Sequence, residues 1–461
     1  MPRLSAKRSC LSFILVAIIF FVYLSWPEHQ RSAQYHQTHK YETNNHIKVK
    51  EVGDTTEEDR ATVTSSSLDH TEDLYTLVEN SAGKPWFIDG GTIRPTPPSV
   101  GPNGRRKASL WPQERPGHDR IIDQLMFVPR DEAEGLKVVV MYNGLSSWGP
   151  TVKAGRGIFK GCPVDTCILS GNRHDSKRAD AIIYKDQFTA PMHRRNTKQV
   201  WIVFMLECPY HTQHYKYNDV FNWTATYRTD SDIVTPYEKW VYYNERIKQL
   251  KTPIKNFAAN KTKQVAWFVS NCGARNGRLQ YARALQKYIN VDIFGACGSK
   301  KCPRSNQSKC FDMLGKDYKF YLAFENSNCR EYITEKFFVN GLGNDVLPIV
   351  MGARPEDYEL VAPMKSYIHV DEFESPKQLA EYLHKLDADD NLYNEYFRWK
   401  GTGEFINTHF FCRVCALLHD QYPIKSYRDI NEWWRSVGTC TSGSWRRPKE
   451  NQQPAWGNQF G

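Results

Sequence analysis

The sequence predicts an α/β fold with two parallel-sheet domains that face a cleft, preceded by an N-terminal transmembrane helix and a stem. Three observations support this prediction: an uncharged apolar run near the N-terminus, a polar stretch rich in Ser, Thr and Pro after it, and a repeated alternation of short apolar runs with amphipathic segments from about residue 120. Such alternation is typical of parallel sheets with helices on both faces.

The apolar run is SCLSFILVAIIFFVYLSW, residues 9–26, and it contains no charged side chain. This is about the minimum length that spans a bilayer. Three basic residues precede the run, so the positive-inside rule keeps the tail, 1–8, in the cytosol and sends the rest into the lumen. A cleaved signal peptide is the alternative, but the sequence after Leu24 offers no small-x-small cleavage site. We therefore predict a single-pass type II signal-anchor followed by a stem over 27–115.

The net charge of the chain is 61 − 51 = +10. A basic balance suits nucleic acid, a membrane surface or phosphorylated ligands. The sequence has no basic repeat and no zinc-finger spacing, so we expect no nucleic-acid partner.

Of the 12 cysteines, eleven follow the predicted anchor. An oxidising lumen turns cysteines into disulfides, and an odd number leaves at least one thiol free. Close spacing favours local bridges, namely Cys162–Cys167, Cys412–Cys415 and one among Cys297, Cys302 and Cys310. The run HFFCRVCALLH offers zinc ligands as an alternative, at His409, Cys412, Cys415 and His419. Glycosylation sequons stand at Asn222, Asn260 and Asn306.

Strand and helix patterns divide the folded part into two Rossmann-like domains, 116–255 and 256–410, followed by a C-terminal segment, 411–461, with a CxxC motif. In the first domain we predict strands over 137–144, 179–184 and 199–207. In the second domain we predict four strands, QVAWFVSN, VDIFG, YKFYLAFEN and VLPIVMG. We also predict three helices there, GRLQYARALQKYI, EYITEKFFVNGL and SPKQLAEYLHKLDAD.

Ligands of open α/β sheets bind beyond the carboxyl ends of the strands, and three polar clusters fall there. In the first domain, Glu207 ends a buried apolar run, where a carboxylate suits a general base. In the second domain, SNCGARNGR brings Ser270, Asn271, Arg275 and Arg278 to a helix N-terminus, and both arginines and helix N-termini favour phosphate. A basic, solvated helix start is the structural alternative.

The third cluster follows the strand that ends near Phe324, and it contains Glu325, Asn326, Tyr332, Thr334, Glu335 and Lys336. We predict that Tyr332 and Lys336 lie one turn apart on a helix, sharing a face that takes an anionic guest. Glu335 offers acceptors for sugar hydroxyls. The alternative is a solvated helix face.

The motif Asp230-Ser231-Asp232 has the form that metal-dependent glycosyltransferases use for manganese and diphosphate. It lies in the first domain, away from the phosphate clusters, so we predict no metal site there.

These motifs resemble a known family. The stretch 320–352 strongly resembles the signature of the α1,3-fucosyltransferases, and VAWFVSNCGARNGRLQYARALQKY resembles the family's second donor-side motif. The stretches WIVFMLECPYH and FNWTATYRTDSDIVTPY resemble its acceptor-side motifs, which contain Tyr227, Arg228 and Asp230. The sequence SNCGARNGRLQ is most similar to the corresponding motif of the insect and plant branch, which fucosylates the innermost GlcNAc of N-glycans.

The resemblance implies a metal-independent fold of the GT-B type, with GDP-fucose as the donor and no required cofactor; non-essential stimulation by Mn²⁺ stays open. It implies Glu207 as the base and Arg278 and Lys336 as diphosphate ligands, with Arg278 preferred over Arg275 by its spacing to Tyr281. Other donor-binding residues would be Ser270, Asn271, Asn326, Tyr332, Thr334 and Glu335.

The implied activity is transfer of L-fucose in α1,3 linkage to the Asn-linked GlcNAc of N-glycoproteins, by an enzyme of the Golgi membrane. A Lewis-type enzyme acting on antennal GlcNAc is the first alternative. Tyr184-Lys185-Asp186 argues against it, because the Lewis branch usually carries paired histidines there. A non-catalytic Golgi glycan-binding protein is the second alternative.

Overall fold

The computed structural model describes residues 83–97, 109–129, 135–420 and 425–446. The predicted anchor, most of the predicted stem and the end of the C-terminal segment lie outside these ranges. Within them, every helix is too short or too polar to cross a membrane. One compact unit comprises Pro85–Ser147 and Val152–Gly461, and its described residues carry all the features below.

The first domain is built on a five-stranded parallel sheet, and the chain enters it through the short helix α1 (Ile121–Leu125). The strands are β1 (Lys137–Met141), β2 (Cys167–Ser170), β3 (Ala181–Lys185), β4 (Val200–Met205) and β5 (Trp223–Thr226). Their order in the sheet is β2-β1-β3-β4-β5. All six residues of β4 are buried, as expected for a central strand covered on both faces. A separate strand, β6 (Lys239–Tyr242), leads out of this domain.

The second domain is built on a five-stranded parallel sheet in the order β12-β11-β9-β7-β8. Its elements, in chain order, are β7 (Lys263–Phe268), α2 (Arg278–Leu285), β8 (Val291–Phe294), α3 (Gln307–Asp317), β9 (Tyr318–Phe324), β10 (Asn328–Cys329), a π-helix (Lys336–Leu342), β11 (Leu347–Met351), α4 (Pro355–Val361), β12 (Ile368–His369), α5 (Pro376–Ala388) and α6 (Asp390–Asn394). Short 3₁₀ turns connect several of them. The α/β fold with parallel sheets is therefore confirmed.

Local signals account for two of the helices. Helix α2 turns an apolar face to the core, because Ala282 and Leu285 are fully buried. The hydroxyl of Ser375 accepts a hydrogen bond from the backbone N–H of Gln378 and so caps α5, whose first residue is a proline.

The last described elements are β13 (Gly403–Ile406), α7 (Phe410–Leu418), α8 (Ile430–Arg435) and β14 (Cys440–Thr441). β13 pairs antiparallel with β6, and β14 pairs antiparallel with β10. Ile430 and Trp434 of α8 pack into the core of the first domain. The C-terminal segment thus contributes to both domains.

The predicted local disulfides Cys162–Cys167 and Cys412–Cys415 are wrong. The bridges are Cys162–Cys412 and Cys167–Cys415, which span 250 and 248 residues. Helix α7 presents both of its cysteines to the first domain, and spacing along the chain cannot report this orientation. The remaining bridges are Cys272–Cys297, Cys302–Cys310 and Cys329–Cys440, and Cys208 is free.

Part of the segment that we predicted to be a stem packs on the folded body. Phe87 and Ile88 are buried in a cluster with Val234 and Ile406. The indole Nε1 of Trp86 donates a 3.1 Å hydrogen bond to a backbone carbonyl at the end of α1.

The three sequons differ in exposure. Asn260 and Asn306 are exposed, as a glycan acceptor must be. Asn222 is half-buried, and its side chain accepts from the N–H of Trp201 at 2.8 Å and donates to the carbonyl of Lys425 at 2.7 Å. Its amide is therefore engaged in holding β4 and the C-terminal segment together.

Candidate active site

Side chains from the carboxyl ends of both sheets meet at Glu207. This residue follows β4 in the first domain, and its Oε1 accepts a 2.6 Å hydrogen bond from the hydroxyl of Tyr332 and a 3.3 Å bond from Nδ2 of Asn326, both in the second domain. The backbone N–H of Cys208 donates to the same oxygen at 2.8 Å. The Glu207 side chain keeps 22% of its surface exposed. A partly exposed, firmly oriented carboxylate suits a general base.

The loop that carries Glu207 is itself fixed. The hydroxyl of Tyr237 donates a 2.9 Å hydrogen bond to the backbone carbonyl of Leu206. Tyr332 is buried, and burial raises its pKa well above the ordinary value. Its phenol therefore stays protonated and keeps donating to Glu207.

A buried carboxylate, Glu325, organises the part of the site that the second domain supplies. It extends β9, and its side chain is fully buried. The N–H and hydroxyl of Thr334 both donate to it at 2.8 Å, and Nζ of Lys336 lies 3.2 Å from its Oε2. Burial raises the pKa of Glu325, while the neighbouring Lys336 cation opposes the rise.

Lys336 is bound to three oxygens, since its Nζ also lies 3.1 Å from the hydroxyl of Thr334 and 3.1 Å from Oε1 of Glu335. Burial alone would lower the pKa of Lys336, but the carboxylates of Glu325 and Glu335 raise it above its ordinary value. The ammonium is therefore permanently charged, and 20% of the side chain remains exposed.

Only a glycine at position 352 leaves room for this arrangement. Gly352 follows β11 with φ +152°, and a Cβ there would lie 2.6 Å from Cγ of Glu325. Any side chain would push Glu325 away from Thr334 and Lys336.

The prediction that Tyr332 and Lys336 share a helix face is wrong. The helix begins at Lys336 and is a π-helix, whereas Tyr332 lies in the irregular segment before it. Tyr332 reaches Glu207 and Lys336 reaches Glu325. The residues before Lys336 are not helical because the backbone N–H of Thr334 donates to the carboxylate of Glu325 and not to a carbonyl of a preceding helical turn.

The loop 270–278 places its two arginines differently. Arg278 is buried, and its guanidinium donates to the carbonyls of Phe324 at 2.9 Å and Asn271 at 3.0 Å. Arg275 is exposed, as is Ser270, and Asn271 is half-buried. Arg278 thus joins this loop to the end of β9, and its charge acts on Lys336.

The predicted acceptor-side residues line the same region of the first domain. The ring of Tyr227 lies 5.3 Å from that of Tyr332, centroid to centroid. Arg228 is buried, donates from Nε to Asp230 at 2.9 Å, and stacks over the ring of Trp433 at 4.5 Å. Tyr227 is therefore adjacent to the Glu207 network, whereas Arg228 and Asp230 fasten helix α8.

The Asp230-Ser231-Asp232 motif is used structurally. Asp232 is fully buried, and its carboxylate accepts hydrogen bonds from Thr224, Tyr427 and Lys425. The possible zinc ligands of HFFCRVCALLH do not assemble either, because both cysteines are in disulfides and Nε2 of His419 is 3.0 Å from the hydroxyl of Thr166.

Sequence reasoning missed two neighbours of Glu207. The buried thiol of Cys208 lies 3.2 Å from Nδ1 of His211, and that nitrogen is 3.9 Å from Oε1 of Glu207. Hydrogen bonding to Cys208 and Glu207 raises the pKa of His211 to about 10. The signal was the string ECPYH, which puts a carboxylate, a thiol and an imidazole within five residues.

Comparison with known proteins shows the family of the chain. Residues 258–433 match the family described as "Glycosyltransferase family 10 (fucosyltransferase) C-term", and residues 135–238 match "Fucosyltransferase, N-terminal". The chain is 58% identical over 389 residues to glycoprotein 3-alpha-L-fucosyltransferase A of Drosophila melanogaster, covering 81% of this chain and 77% of that protein.

A human 4-galactosyl-N-acetylglucosaminide 3-alpha-L-fucosyltransferase is 38% identical over 282 residues, which cover 58% of this chain and 75% of that protein. A crystal structure of an alpha1,3-fucosyltransferase with GDP aligns at 16% identity and a TM-score of 0.42, covering 66% of this chain and 96% of that one. The two family matches and the identity to the Drosophila protein show that the chain belongs to glycosyltransferase family 10, the fucosyltransferases.

Proposed function

We propose that this chain is a glycoprotein 3-α-L-fucosyltransferase that moves L-fucose from GDP-fucose to the 3-hydroxyl of the Asn-linked, innermost GlcNAc of N-glycans. The observation that carries the proposal is the convergence on Glu207 of Tyr332 and Asn326, beside the permanently charged Lys336. The 58% identity to the Drosophila glycoprotein fucosyltransferase supports the choice of acceptor class.

The two sheets are then the two Rossmann-like domains of a GT-B enzyme, facing a cleft. The first domain supplies the base and the acceptor side, through Glu207 and Tyr227. The second supplies the donor side, through Arg278, Lys336 and the surrounding residues Ser270, Asn271, Asn326, Tyr332, Thr334 and Glu335. Parallel strands bring these groups together because ligands bind beyond their carboxyl ends.

The transfer step follows from these charges. The bond between fucose C1 and the diphosphate oxygen breaks through an oxocarbenium-like state, and its electron pair passes to GDP. The acceptor 3-hydroxyl attacks C1 from the opposite face, so the anomeric configuration inverts. Glu207 takes the hydroxyl proton, and the cations Lys336 and Arg278 stabilise the charge that develops on the diphosphate. GDP leaves without needing a proton.

Lys336 must change partners when the donor binds. Its ammonium has three hydrogens, and Glu325, Glu335 and Thr334 accept all three in the structure. We propose that the diphosphate displaces Glu335, which is the more exposed carboxylate, and that Glu335 then turns to the sugar hydroxyls. Fully buried Glu325 keeps its place and holds the ammonium toward the cleft.

We propose that no metal ion is required, because fixed cations take its role at the diphosphate, and that Mn²⁺ gives at most stimulation. We also propose that residues 9–26 anchor the chain in the Golgi membrane as a type II protein, with the catalytic part in the lumen. Activity in the presence of EDTA is the expected result, and abolition of transfer by the chelator would contradict the metal-free proposal.

The decisive experiment uses GDP-fucose and a GlcNAc-terminated biantennary glycopeptide, with mass-spectrometric mapping of the fucosylated sugar. Fucose in α1,3 linkage on the Asn-linked GlcNAc is expected. Fucose on lactosamine antennae would instead identify a Lewis-type enzyme, and GDP binding without transfer to either acceptor would identify a glycan-binding protein.

A further inference from the structure

Three side chains of different metal-binding chemistry lie together beyond the carboxyl end of β4. They are Glu207, Cys208 and His211, at the end of β4 and in the following 3₁₀ turn Pro209–His211. Their ligand atoms all lie within 4.8 Å of one another. The pair Sγ and Nδ1 is 3.2 Å apart, and the pair Nδ1 and Oε1 is 3.9 Å apart.

These separations suit a tetrahedral cation. Zinc binds cysteine sulfur at about 2.3 Å and histidine nitrogen or carboxylate oxygen at about 2.0–2.2 Å. Ligands at the corners of a tetrahedron with such bonds lie roughly 3.3–3.7 Å apart. The cluster therefore needs only small side-chain movements to close around one ion, and its three ligands leave a fourth position open.

The thiol of Cys208 is available for this role. The other ten described cysteines are paired in disulfides, and Cys208 is free. Its Sγ is buried and donates to the hydroxyl of Ser327 at 3.1 Å, which fixes its direction. A second group of candidate ligands, Cys167, Cys415 and His419, differs in this respect, because its two sulfurs are bonded to each other.

The ligand set also selects the kind of ion. A thiolate and an imidazole favour thiophilic ions such as Zn²⁺, Cd²⁺ and Co²⁺, whereas Mg²⁺ and Mn²⁺ prefer sites made of oxygen. Nδ1 of His211 faces both Sγ of Cys208 and Oε1 of Glu207. A cation bound by the Cys208 thiolate would displace the thiol proton, which would be released to solvent.

We propose that Glu207, Cys208 and His211 form an inhibitory site for a thiophilic divalent cation, which arrests the enzyme by occupying the carboxylate of Glu207. Binding of the cation depends on the three side chains alone, and only its inhibitory effect rests on the proposed function. The site is separate from any metal requirement of the transfer reaction, because here the ion takes the base away from the acceptor hydroxyl.

The binding test is a titration of the full chain with Co²⁺ alone, followed by absorption spectroscopy. We expect one ion per chain, with the sulfur-to-cobalt charge-transfer band and the intense ligand-field bands of tetrahedral Co²⁺, and displacement of both by Zn²⁺. Cys208→Ser and His211→Gln should each abolish the charge-transfer band or weaken binding by at least about tenfold. His214→Gln changes an exposed histidine three residues farther on and serves as the matched control.

The inhibition test measures fucosyl transfer against Zn²⁺ concentration. Half-inhibition should fall near the Zn²⁺ dissociation constant that the displacement titration gives once the competing Co²⁺ is accounted for, and EDTA should restore the rate. In Cys208→Ser, the fraction of activity lost at that concentration should be smaller than in the unmodified chain. Thermal unfolding of each variant separates loss of the site from loss of the fold.

A cobalt complex without the charge-transfer band, or a band that survives in Cys208→Ser, would overturn the proposed site. Tight binding with undiminished transfer would overturn its inhibitory role. A chain that binds Co²⁺ as expected but transfers no fucose, either in EDTA or with added Mn²⁺, would instead overturn the proposed function and leave the cation site standing.

Discussion

The hydroxyl of Tyr332 donates a 2.6 Å hydrogen bond to Oε1 of Glu207, although the two residues are 125 positions apart in the chain. Glu207 belongs to the first domain and Tyr332 to the second. The proposed base is therefore oriented by a side chain from the domain to which we assign donor binding. Cys329, three residues before Tyr332, is tied to Cys440 by a disulfide, which restrains the segment that delivers the phenol.

Replacing Glu207 by Gln should lower the turnover number by at least about 10²-fold, because the amide cannot accept the acceptor proton. GDP affinity should be preserved, since Tyr332 can still donate to the amide oxygen. Transfer rates and GDP calorimetry measure the two quantities. The matched control is Glu404→Gln, a partly exposed glutamate bonded to Tyr243 and outside the site. A variant rate near that of the unmodified enzyme would assign the base to another residue.

Replacing Tyr332 by Phe should lower kcat by about 10- to 100-fold, because a hydrogen bond to a charged group is worth about 1.5–3 kcal/mol. The KM for GDP-fucose should change less than kcat, since the lost hydroxyl is bonded to Glu207 and the ring is kept. Tyr393→Phe removes a buried hydroxyl of the same kind, bonded to the carbonyl of Lys319 near the start of β9 and away from Glu207, and is the control. Equal losses in both variants would mean that Tyr332 acts only through packing.

Replacing Lys336 by Ala should weaken GDP binding by about 10- to 100-fold, because it removes a charged donor at the diphosphate. The substitution should also leave the fully buried carboxylate of Glu325 without its paired cation and so lower the melting temperature. Lys400→Ala supplies the control, since Lys400 is a half-buried lysine paired with Asp345 at 3.1 Å, near the amino end of β11. Unchanged GDP affinity in Lys336→Ala would contradict its role at the diphosphate.

Alanine substitutions of Arg278 and Arg275, the two arginines of the loop 270–278, should have different effects on GDP binding and on stability. Arg278→Ala should weaken GDP binding by about tenfold or more and also lower the melting temperature, because Arg278 supports the carbonyls of Phe324 and Asn271. Arg275→Ala should leave the melting temperature unchanged, since Arg275 is exposed. If Arg275→Ala alone weakens GDP binding, the diphosphate role passes from Arg278 to Arg275.

Stability should increase with pH through Lys261. Its Nζ donates to the carbonyls of Tyr318 and Asp345, and burial lowers its pKa from 10.5 to about 7. Between these values the unfolded chain holds a proton that the folded chain has released, so the free energy of unfolding rises with pH. Urea unfolding at pH 7 and pH 9.5 should show a smaller rise in Lys261→Met.

The control for this measurement is Lys287→Met, an exposed lysine of the same domain. Its unfolding midpoint should follow that of the unmodified chain across the pH range. Parallel pH dependence in the unmodified chain and Lys261→Met would show that Lys261 keeps an ordinary pKa in the folded state.

The order of strands and helices was predictable because a buried strand appears in the sequence as a short run of apolar residues. β4 and β11 are apolar runs, β9 is apolar apart from Lys319, and all three are buried along their full length. The short strands β2 and β5 escaped prediction, since four residues carry too little pattern. The position of Glu207 was predictable for the same reason as β4, because it follows the last apolar residue of the run.

Residues that act through distant partners were not predictable in this way. The sequence around Lys336 predicted one helix face for Tyr332 and Lys336. In the structure the N–H of Thr334 donates to the buried carboxylate of Glu325, and the helix begins only at Lys336. The cysteines of α7 read as a local pair, yet they join Cys162 and Cys167, about 250 residues away.

By itself the sequence determined the two parallel sheets, the polar clusters at their carboxyl ends and the family resemblance, because these depend on local hydrophobicity and on short motifs. The tertiary structure decided which polar groups meet: Tyr332 with Glu207, and Lys336 with Glu325. Such pairings require specific distances between separate elements, and those distances are set by the packing of the whole domain, which no local pattern encodes.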